Sequence, residues 1–271
     1  MVKIITYILL GFGLILGVIW ALKFYNGKKA LIECFSSENC IVFGTKGSGK
    51  DLIFNKAINA RKSNCYANIP YNRELCTVRD IKEFSVEPNT YESILENNVK
   101  IIDKNNKENC DYYISDGGIF LPSQYSQQLI KKYPSLPIYY ALSRHLTNSN
   151  IHINTQYLGR VWDKLREQAG YFIRATHTSK FIIKRKNKRN IGFLVTTFIV
   201  YDSYESASAK VRPYKVTGLI THSESRANKE DFESKHGIVK EYKIIQLVKN
   251  VHYDSRWGHR MIYGYNSPDT Y

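Results

Sequence analysis

The stretch Cys40-Ile-Val-Phe-Gly-Thr-Lys-Gly-Ser-Gly-Lys-Asp51 decides the fold of this chain. Its first four residues are apolar and predict a buried strand, and a helical pattern follows from about residue 51 to residue 61. Between them, the spacing of glycines and lysine is typical of a phosphate-binding loop, in which successive backbone N–H groups surround a phosphate. We therefore predict a nucleotide site with Lys50 on the β- and γ-phosphates. Its residues are Gly44, Thr45, Lys46, Gly47, Ser48, Gly49, Lys50 and Asp51.

One position of this loop departs from the usual pattern. Asp51 stands where a serine or threonine would supply a hydroxyl to Mg²⁺. A carboxylate at this position can ligate the metal, and it can also repel the phosphates beside it. The alternative interpretation is a glycine-rich turn that begins a helix, with Asp51 as a favourable acid in the first turn.

A second acid follows another apolar strand, Tyr112-Tyr-Ile-Ser115. Asp116 is placed to hold Mg²⁺ through water, although a simple Asp-Gly turn would give the same pattern. Gly117 stands where many proteins of this class carry the glutamate that orients the attacking water, so the base is missing from its usual position. Asp111, at the start of the same strand, is expected to be a turn residue at the opposite end of the sheet.

The remaining pattern predicts strands that alternate with helices, which is typical of a parallel α/β sheet. Further strands are expected at 65–69 and 151–154, and helices at 90–97, 123–132, 138–146 and 159–169. From residue 171 the pattern becomes a strand meander at 171–174, 180–183 and 192–201, and the segment beyond residue 209 has no clear assignment. The predicted parts are 1–30 (anchor and basic linker), 31–170 (P-loop NTPase core) and 171–271 (β-rich extension and polar tail).

Polar residues after the strand at 151–154 are further candidates for the site. Gln156 is expected to face the γ-phosphate from the neighbouring strand and so to sense hydrolysis, whereas His152 is expected to be packed or exposed and not a ligand. A guanidinium can stabilise the charge of a transferring phosphoryl group across a subunit interface. The candidates for that role are Arg144, Arg160 and Arg166, and the alternative is that they are ordinary helix-surface arginines.

The first 22 residues predict a membrane anchor. Residues 4–22 carry no charge and would form a helix about 28 Å long, close to the thickness of a hydrocarbon core. A cleaved signal peptide is the alternative, but no small-x-small site precedes Lys23. Lysines are more frequent after this segment than before it. They predict a single-pass protein of an inner or plasma membrane, with most of the chain cytoplasmic.

The charge balance predicts an anionic partner. The 271 residues include 39 Lys and Arg against 24 Asp and Glu, a net charge of +15, which suits nucleic acid or acidic lipid. Five cysteines without a C-x-x-C pair favour a reducing compartment. One predicted hairpin tip is especially basic and can follow a phosphate backbone, contact anionic lipid or simply be solvated. Its contact residues are Lys184, Arg185, Lys186, Lys188 and Arg189.

Several segments between about residues 40 and 204 together resemble one known family. They are Val42-Phe-Gly-Thr-Lys-Gly-Ser-Gly-Lys50, Tyr66-Ala-Asn-Ile-Pro70, Tyr113-Ile-Ser-Asp116, Ser143-Arg-His-Leu-Thr-Asn-Ser-Asn-Ile-His-Ile-Asn-Thr-Gln156 and Arg160-Val-Trp-Asp-Lys-Leu-Arg-Glu-Gln168. This set resembles the zonula occludens toxin (Zot) family, which includes the assembly ATPase of filamentous phages. The resemblance implies a membrane-associated, multimeric P-loop ATPase of the FtsK/HerA-like division. Lys50 would hold the phosphates, Asp116 the magnesium, and Gln156 would sense the γ-phosphate.

These observations lead to one expected function and two alternatives. The chain is expected to be an ATP-driven motor for packaging, assembly or extrusion of a single-stranded DNA phage. Its cofactors are ATP and Mg²⁺, and its partners are copies of itself, membrane lipid, single-stranded DNA and phage coat or export proteins. The alternatives are a non-hydrolysing nucleotide-binding scaffold and a cellular DNA-translocating ATPase. Turnover stays open because of Asp51 and Gly117. The predicted catalytic residues are Lys50, Asp116, Gln156 and Arg166, and the predicted metal ligands are Asp51 and Asp116.

Overall fold

The computed structural model describes residues 2–62, 64–69, 71, 75–78, 110–120, 123–125, 127, 131, 140, 143–144, 148–186, 190–215 and 222–251. Eight strands in this part of the chain form one sheet, in the order β3-β2-β4-β5-β1-β6-β7-β8. The strands are β1 (Cys40–Phe43), β2 (Cys65–Ala67), β3 (Cys76–Val78), β4 (Asp111–Ile114), β5 (Ile151–Thr155), β6 (Tyr171–Ile183), β7 (Ile191–Tyr201) and β8 (Val239–Leu247). The α-helices are α1 (Val2–Ser37), α2 (Lys50–Arg61), α3 (Gly117–Phe120), α4 (Asp163–Arg166), α5 (Tyr204–Ser208) and α6 (His222–His236).

The sheet is mainly parallel, and this confirms the predicted fold class. Strands β3, β2, β4, β5, β1 and β6 run parallel, and β7 and β8 add to the edge in antiparallel fashion. The two short strands predicted at 171–174 and 180–183 are one long strand, β6. Since Arg174 pairs with Phe43 at the end of β1, the rest of β6 extends beyond the carboxyl edge of the parallel strands.

The core lies on both faces of the sheet, because β1 is buried on both sides as central parallel strands are. Ile41 and Phe43 face a cluster that includes Trp162 and Leu165. Cys40 and Val42 alternate with them and face the opposite cluster. That second cluster contains Phe35 of α1 and Phe54 of α2. Helices α1 and α2 therefore cover this second face of the sheet. The loop after β1 leads into α2 on the same face.

Helix α1 is one continuous helix of 36 residues, and it runs through the segment predicted to be a basic linker. Its last turns, with Leu31, Cys34 and Phe35, are buried against the sheet. Among the residues that the structure describes, no helix is both long enough and apolar enough to cross a membrane. The predicted transmembrane helix at residues 4–22 is therefore not supported, and those residues are the first part of a helix whose other end belongs to the folded domain.

Two further segments differ from the sequence prediction. The helix predicted at 159–169 is a 3₁₀ turn, Leu158–Arg160, followed by the short helix α4. Trp162 between them is fully buried and has a non-helical backbone, with φ −48° and ψ 130°, so core packing interrupts the helical pattern. The unassigned segment beyond residue 209 contributes α6 and the edge strand β8. The helix predicted at 90–97 and most of those predicted at 123–132 and 138–146 lie outside the described residues.

A buried ion pair joins α2 to the start of β4. Arg61 binds the carboxylate of Asp111, which also accepts a hydrogen bond of 2.9 Å from the backbone N–H of Asn150. Asp111 is only 2% exposed, so the prediction that it is a turn residue is wrong. The sequence pattern missed this role because its partner, Arg61, is 50 residues away in the chain.

His152 gives the fold a dependence on pH. Its ring is fully buried between Phe35 and Tyr113, and burial, followed by the positive charge of Arg61, lowers its pKa well below 6.5. Because the unfolded chain takes up this proton more readily, the free energy of unfolding should decrease as the pH falls below about 6.5, by up to about 1.4 kcal/mol per pH unit. Urea unfolding at several pH values should show this slope.

The slope should become shallower in His152→Phe and stay unchanged in His177→Phe, whose ring is exposed. Equal slopes in the parent chain and in His152→Phe would show that another group causes the effect.

Candidate nucleotide site

The loop between β1 and α2 has the backbone geometry of an anion site. Gly49 adopts a left-handed conformation, with φ 101° and ψ 23°, and caps α2 at its N-terminus. Residues other than glycine rarely adopt this backbone conformation, which explains the glycine. The first N–H groups of α2 have no partners within the helix, and they point toward the loop together with the positive end of the helix dipole.

Lys50 begins α2 and folds back over the loop. Its side chain is 7% exposed, and its Nζ donates a hydrogen bond of 3.1 Å to the backbone oxygen of Thr45. Burial lowers the pKa of the ammonium group, and the carboxylates of Asp51 and Asp116 act in the opposite direction. The lysine charge is thus held at the loop, beside two acids.

Asp51 is fixed by residues from neighbouring strands. Its Oδ1 accepts hydrogen bonds from the hydroxyl of Tyr71, at 2.9 Å, and from Nδ2 of Asn154, at 2.7 Å. The Tyr71 hydroxyl also contacts the hydroxyl of Ser115, the last residue before Asp116. The carboxylate is therefore held at the carboxyl ends of the strands.

Asn154 is a site residue that the sequence prediction missed. It lies on β5, between β1 and β4, and is 1% exposed. Besides its bond to Asp51, its Oδ1 accepts a hydrogen bond of 2.8 Å from the backbone N–H of Asp116. The prediction considered only the polar pair at 155–156, which follows Asn154 directly in the sequence. Asn154 thus links the two candidate metal ligands.

Asp116 lies in the turn after β4, as predicted, with Ser115 between them. Its backbone is left-handed, with φ 52°, a conformation that aspartate tolerates better than most residues. Partial removal of water from its carboxyl group and the negative charge of Asp51 raise its pKa, and Lys50 opposes this. Two neighbouring carboxylates of this kind also favour a bound cation.

The residues present fit a Mg²⁺ ion that is bound together with a phosphate. Within the described part of the chain no three or more His, Cys, Asp or Glu residues form a metal cluster, so a complete protein cage is not found there. Mg²⁺ commonly uses one or two carboxylates, with phosphate oxygens and water as the other ligands. The Ser48 hydroxyl is buried and has no hydrogen-bond partner among the described residues, so it can serve a ligand.

Gly117 packs tightly against β5. A Cβ atom at this position would lie 2.2 Å from Cγ2 of Ile153, so no larger side chain fits without a shift of the sheet. Packing therefore favours glycine here, and the usual glutamate would require Ile153 to move.

Restoring the usual glutamate should consequently fail. We expect Gly117→Glu to destabilise the fold by about 2–4 kcal/mol, because the side chain overpacks a buried contact, and to produce no gain in ATP turnover. Gly159→Ala is the control, because its added methyl group would meet open space. Denaturant unfolding and a phosphate-release assay would check both. A stable Gly117→Glu with increased turnover would show that the position is open.

The other predicted residues have different positions in the fold. Gln156 is exposed at the end of β5, and its role stays a prediction. Arg166 contacts the ring and hydroxyl of Tyr204 and lines a cavity of about 470 Å³ beside the start of β6. That end of the sheet is opposite the loop, so Arg166 does not join the loop of its own chain, and its role across a subunit interface stays a prediction. Lys184, Arg185 and Lys186 are exposed beyond β6, whereas Lys188 and Arg189 lie outside the described residues.

Loop, lysine and helix stand in the arrangement of the P-loop NTPases, on the mainly parallel sheet of that class. The fold therefore resembles that of the nucleotide-binding α/β proteins of this class.

No protein-family model matches the sequence, and no curated protein matches it significantly. Solved structures do match. The N-terminal domain of zonular occludens toxin from Neisseria meningitidis is 15% identical, covers 80% of this chain and 98% of its own, and has a TM-score of 0.34. The genome packaging NTPase B204 from Sulfolobus turreted icosahedral virus 2, in complex with AMPPCP, is 13% identical over 65% of this chain and 95% of its own, with a TM-score of 0.38.

A third match is EssC (ATPases 2 and 3) from Geobacillus thermodenitrificans, at 12% identity and a TM-score of 0.34. It covers 73% of this chain and 43% of its own. A domain from the family that the sequence motifs resemble is among these similar structures.

Proposed function

We propose that this chain binds ATP with Mg²⁺ at residues 44–51 and uses it in the assembly or export of a phage that contains single-stranded DNA. One observation carries the nucleotide site: a buried Lys50 lies across a glycine loop at the start of α2, beside Asp116 from β4. Lys50 and the loop amides would hold the phosphates, and Asp51 and Asp116 would hold the metal. Mg²⁺ would supply charge neutralisation for the phosphate oxygens.

Whether the bound ATP is hydrolysed separates the motor from the scaffold. Lys50 and Asp116 favour a motor, since both groups act on the transferring phosphate in proteins of this class. The closed position of Gly117 favours a scaffold, because it leaves no room for the usual base. The test is phosphate release by the full chain, with and without single-stranded DNA. DNA-stimulated release supports the motor, and binding without release supports the scaffold.

The DNA partner is proposed from the hairpin tip and from the resemblance to phage assembly ATPases. Lys184, Arg185 and Lys186 are exposed there, next to the exposed ring of Phe181, on which a base can stack. We expect the triple alanine variant to bind an oligo-dT probe more weakly and to reduce the salt slope by about 2, or about 0.7 for each lost phosphate contact.

A charge-matched control replaces exposed lysines elsewhere, namely Lys164, Lys210 and Lys235. An equal loss of affinity in both triple variants would mean that only net charge attracts the DNA.

Association with lipid is also part of the proposal. The described residues of α1 between 12 and 25 expose large apolar side chains on all sides, and lysines follow them. Exposed apolar surface of this extent favours an apolar partner, and the lysines favour an anionic, cytoplasmic membrane surface. The exposed side chains are Phe12, Leu14, Ile15, Leu16, Val18, Ile19, Trp20, Leu22 and Tyr25.

Flotation with phosphatidylcholine vesicles that contain about 30% phosphatidylglycerol tests this point. The full chain should float with the vesicles, and a variant with Leu14, Ile15 and Ile19 changed to Gln should remain at the bottom. Flotation of both proteins would assign lipid binding to another surface.

A further inference from the structure

We propose that the β6–β7 hairpin forms a second wall of the nucleotide site and that Thr178 is a positioning residue for the phosphate loop. This inference rests on the nucleotide binding proposed above. Nothing in the loop motif itself points to the hairpin, since Thr178 follows Lys50 by more than 120 residues in the chain.

The contact is a defined hydrogen bond. The Thr178 hydroxyl donates to the backbone oxygen of Ser48 at 2.9 Å. A hydroxyl has only one proton to donate, so the contact of 3.0 Å between the hydroxyls of Thr178 and Thr196 must have Thr196 as the donor. Thr196, fully buried on β7, therefore orients the Thr178 hydroxyl toward the loop.

Close packing surrounds this hydrogen bond at both ends of the loop. A Cβ on Gly49 would lie 2.1 Å from the Thr178 oxygen and 3.0 Å from a methyl carbon of Thr196. A Cβ on Gly44 would lie 2.4 Å from the backbone oxygen of Ala175. The loop backbone thus lies directly against β6 and β7. Gly44 and Gly49 are needed for this close approach as well as for their positive φ angles.

The hydrogen bond determines the direction of one amide. The Ser48 carbonyl and the Gly49 N–H belong to the same planar trans peptide unit and point in opposite directions. When Thr178 holds the carbonyl on the side of the hairpin, the Gly49 N–H must point away from the hairpin. An unheld peptide unit could rotate and remove that donor from the set that surrounds a phosphate. Thr178 would therefore act on nucleotide affinity without touching the nucleotide.

A bulge in the hairpin is part of this arrangement. The β6–β7 register shifts between Ala175 and His177, so that one extra residue is inserted in β6 just before Thr178. Bulges redirect the side chains that follow them. The extra residue, Thr176, donates its hydroxyl to the backbone oxygen of Thr197 at 2.9 Å, inside the hairpin. Thr176 thus provides a matched control for Thr178.

The test measures binding of ATPγS with Mg²⁺ to the full chain by isothermal titration. Thr178→Val keeps the volume and removes the donor, and it should weaken binding about 5- to 30-fold. Thr178→Ser retains the hydroxyl and should stay within about threefold of the parent. Thr176→Val loses a similar hydrogen bond within the hairpin and should bind like the parent. Melting temperatures of the two valine variants should be similar.

Each result has a distinct meaning. Absence of binding in the parent chain would refute the proposed function itself. Binding by the parent with unchanged affinity in Thr178→Val would overturn the inference alone. Equal weakening in Thr178→Ser, or in Thr176→Val, would also overturn it, because packing or hairpin stability would then explain the loss. If Thr178→Val does not fold, Thr196→Val replaces it, with an expected weakening of about two- to fivefold.

Discussion

Replacement of Lys50 by alanine should reduce ATP affinity at least about 100-fold, equivalent to about 2.7 kcal/mol, and abolish any turnover. The lysine is the only residue of the loop whose cation is both buried and bonded to the loop backbone, at Thr45. Its loss removes the charge that meets the phosphates and leaves the carboxylates of Asp51 and Asp116 without a counter-ion. Binding should be measured by titration of the full chain with ATPγS and Mg²⁺.

Lys46→Ala is the matched control for this prediction. Lys46 belongs to the same loop and carries the same charge, but its side chain is exposed. A surface lysine contributes little to a specific site, so affinity should change less than about threefold. Similar losses in Lys46→Ala and Lys50→Ala would show that the loop attracts the nucleotide only through its overall charge.

Replacement of Asn154 by alanine should lower both stability and nucleotide affinity. The substitution leaves Oδ1 of Asp51 and the N–H of Asp116 without the bonds of 2.7 and 2.8 Å that they make to Asn154. The loss of two partly buried hydrogen bonds, one of them to a carboxylate, costs about 2–4 kcal/mol in total. Because both metal ligands lose their support, we also expect ATP·Mg²⁺ to bind at least about tenfold more weakly. Denaturant unfolding and nucleotide titration measure the two effects.

The same substitution just before β5 provides the comparison. Asn150 is also buried and donates to the backbone oxygens of Phe35 and Ser36, at the opposite end of the sheet. Asn150→Ala should therefore lower stability while affinity per folded molecule stays unchanged. If Asn150→Ala weakened nucleotide binding as much as Asn154→Ala, the loss would reflect general destabilisation and not the link between Asp51 and Asp116.

Local patterns in the sequence were sufficient for the parallel sheet and the phosphate loop. The apolar run at 40–43, the glycine spacing and the helix after it occur within about 20 residues, and each follows from short-range physical rules. The same holds for β4 with Asp116 and for the hairpin of β6 and β7. The sequence did not show the length of β6, because the middle of this strand is polar. Beyond the end of β1 these residues pair with β7, where polar side chains are tolerated that a buried strand would exclude.

Contacts between residues far apart in the chain explain what the sequence did not show. Asn154 joins Asp51 across 103 residues, and Thr178 joins Ser48 across 130 residues. The sequence left open whether Asp51, in place of a hydroxyl residue, ligates the metal or repels the phosphates. Its carboxylate is fixed by Tyr71 and Asn154, which no local pattern shows. Gly117 was similar: the sequence showed a missing glutamate, and only the packing against Ile153 explains why it is missing.

A crystal structure of the full chain with ATPγS and Mg²⁺ would test the central claim most directly. We expect the terminal phosphates within hydrogen-bond distance of the Gly49 N–H and of the Lys50 ammonium group, with a metal ion near Asp51 and Asp116. A nucleotide bound elsewhere on the chain, or a loop that excludes the phosphates because the Asp51 carboxylate occupies their place, would contradict it.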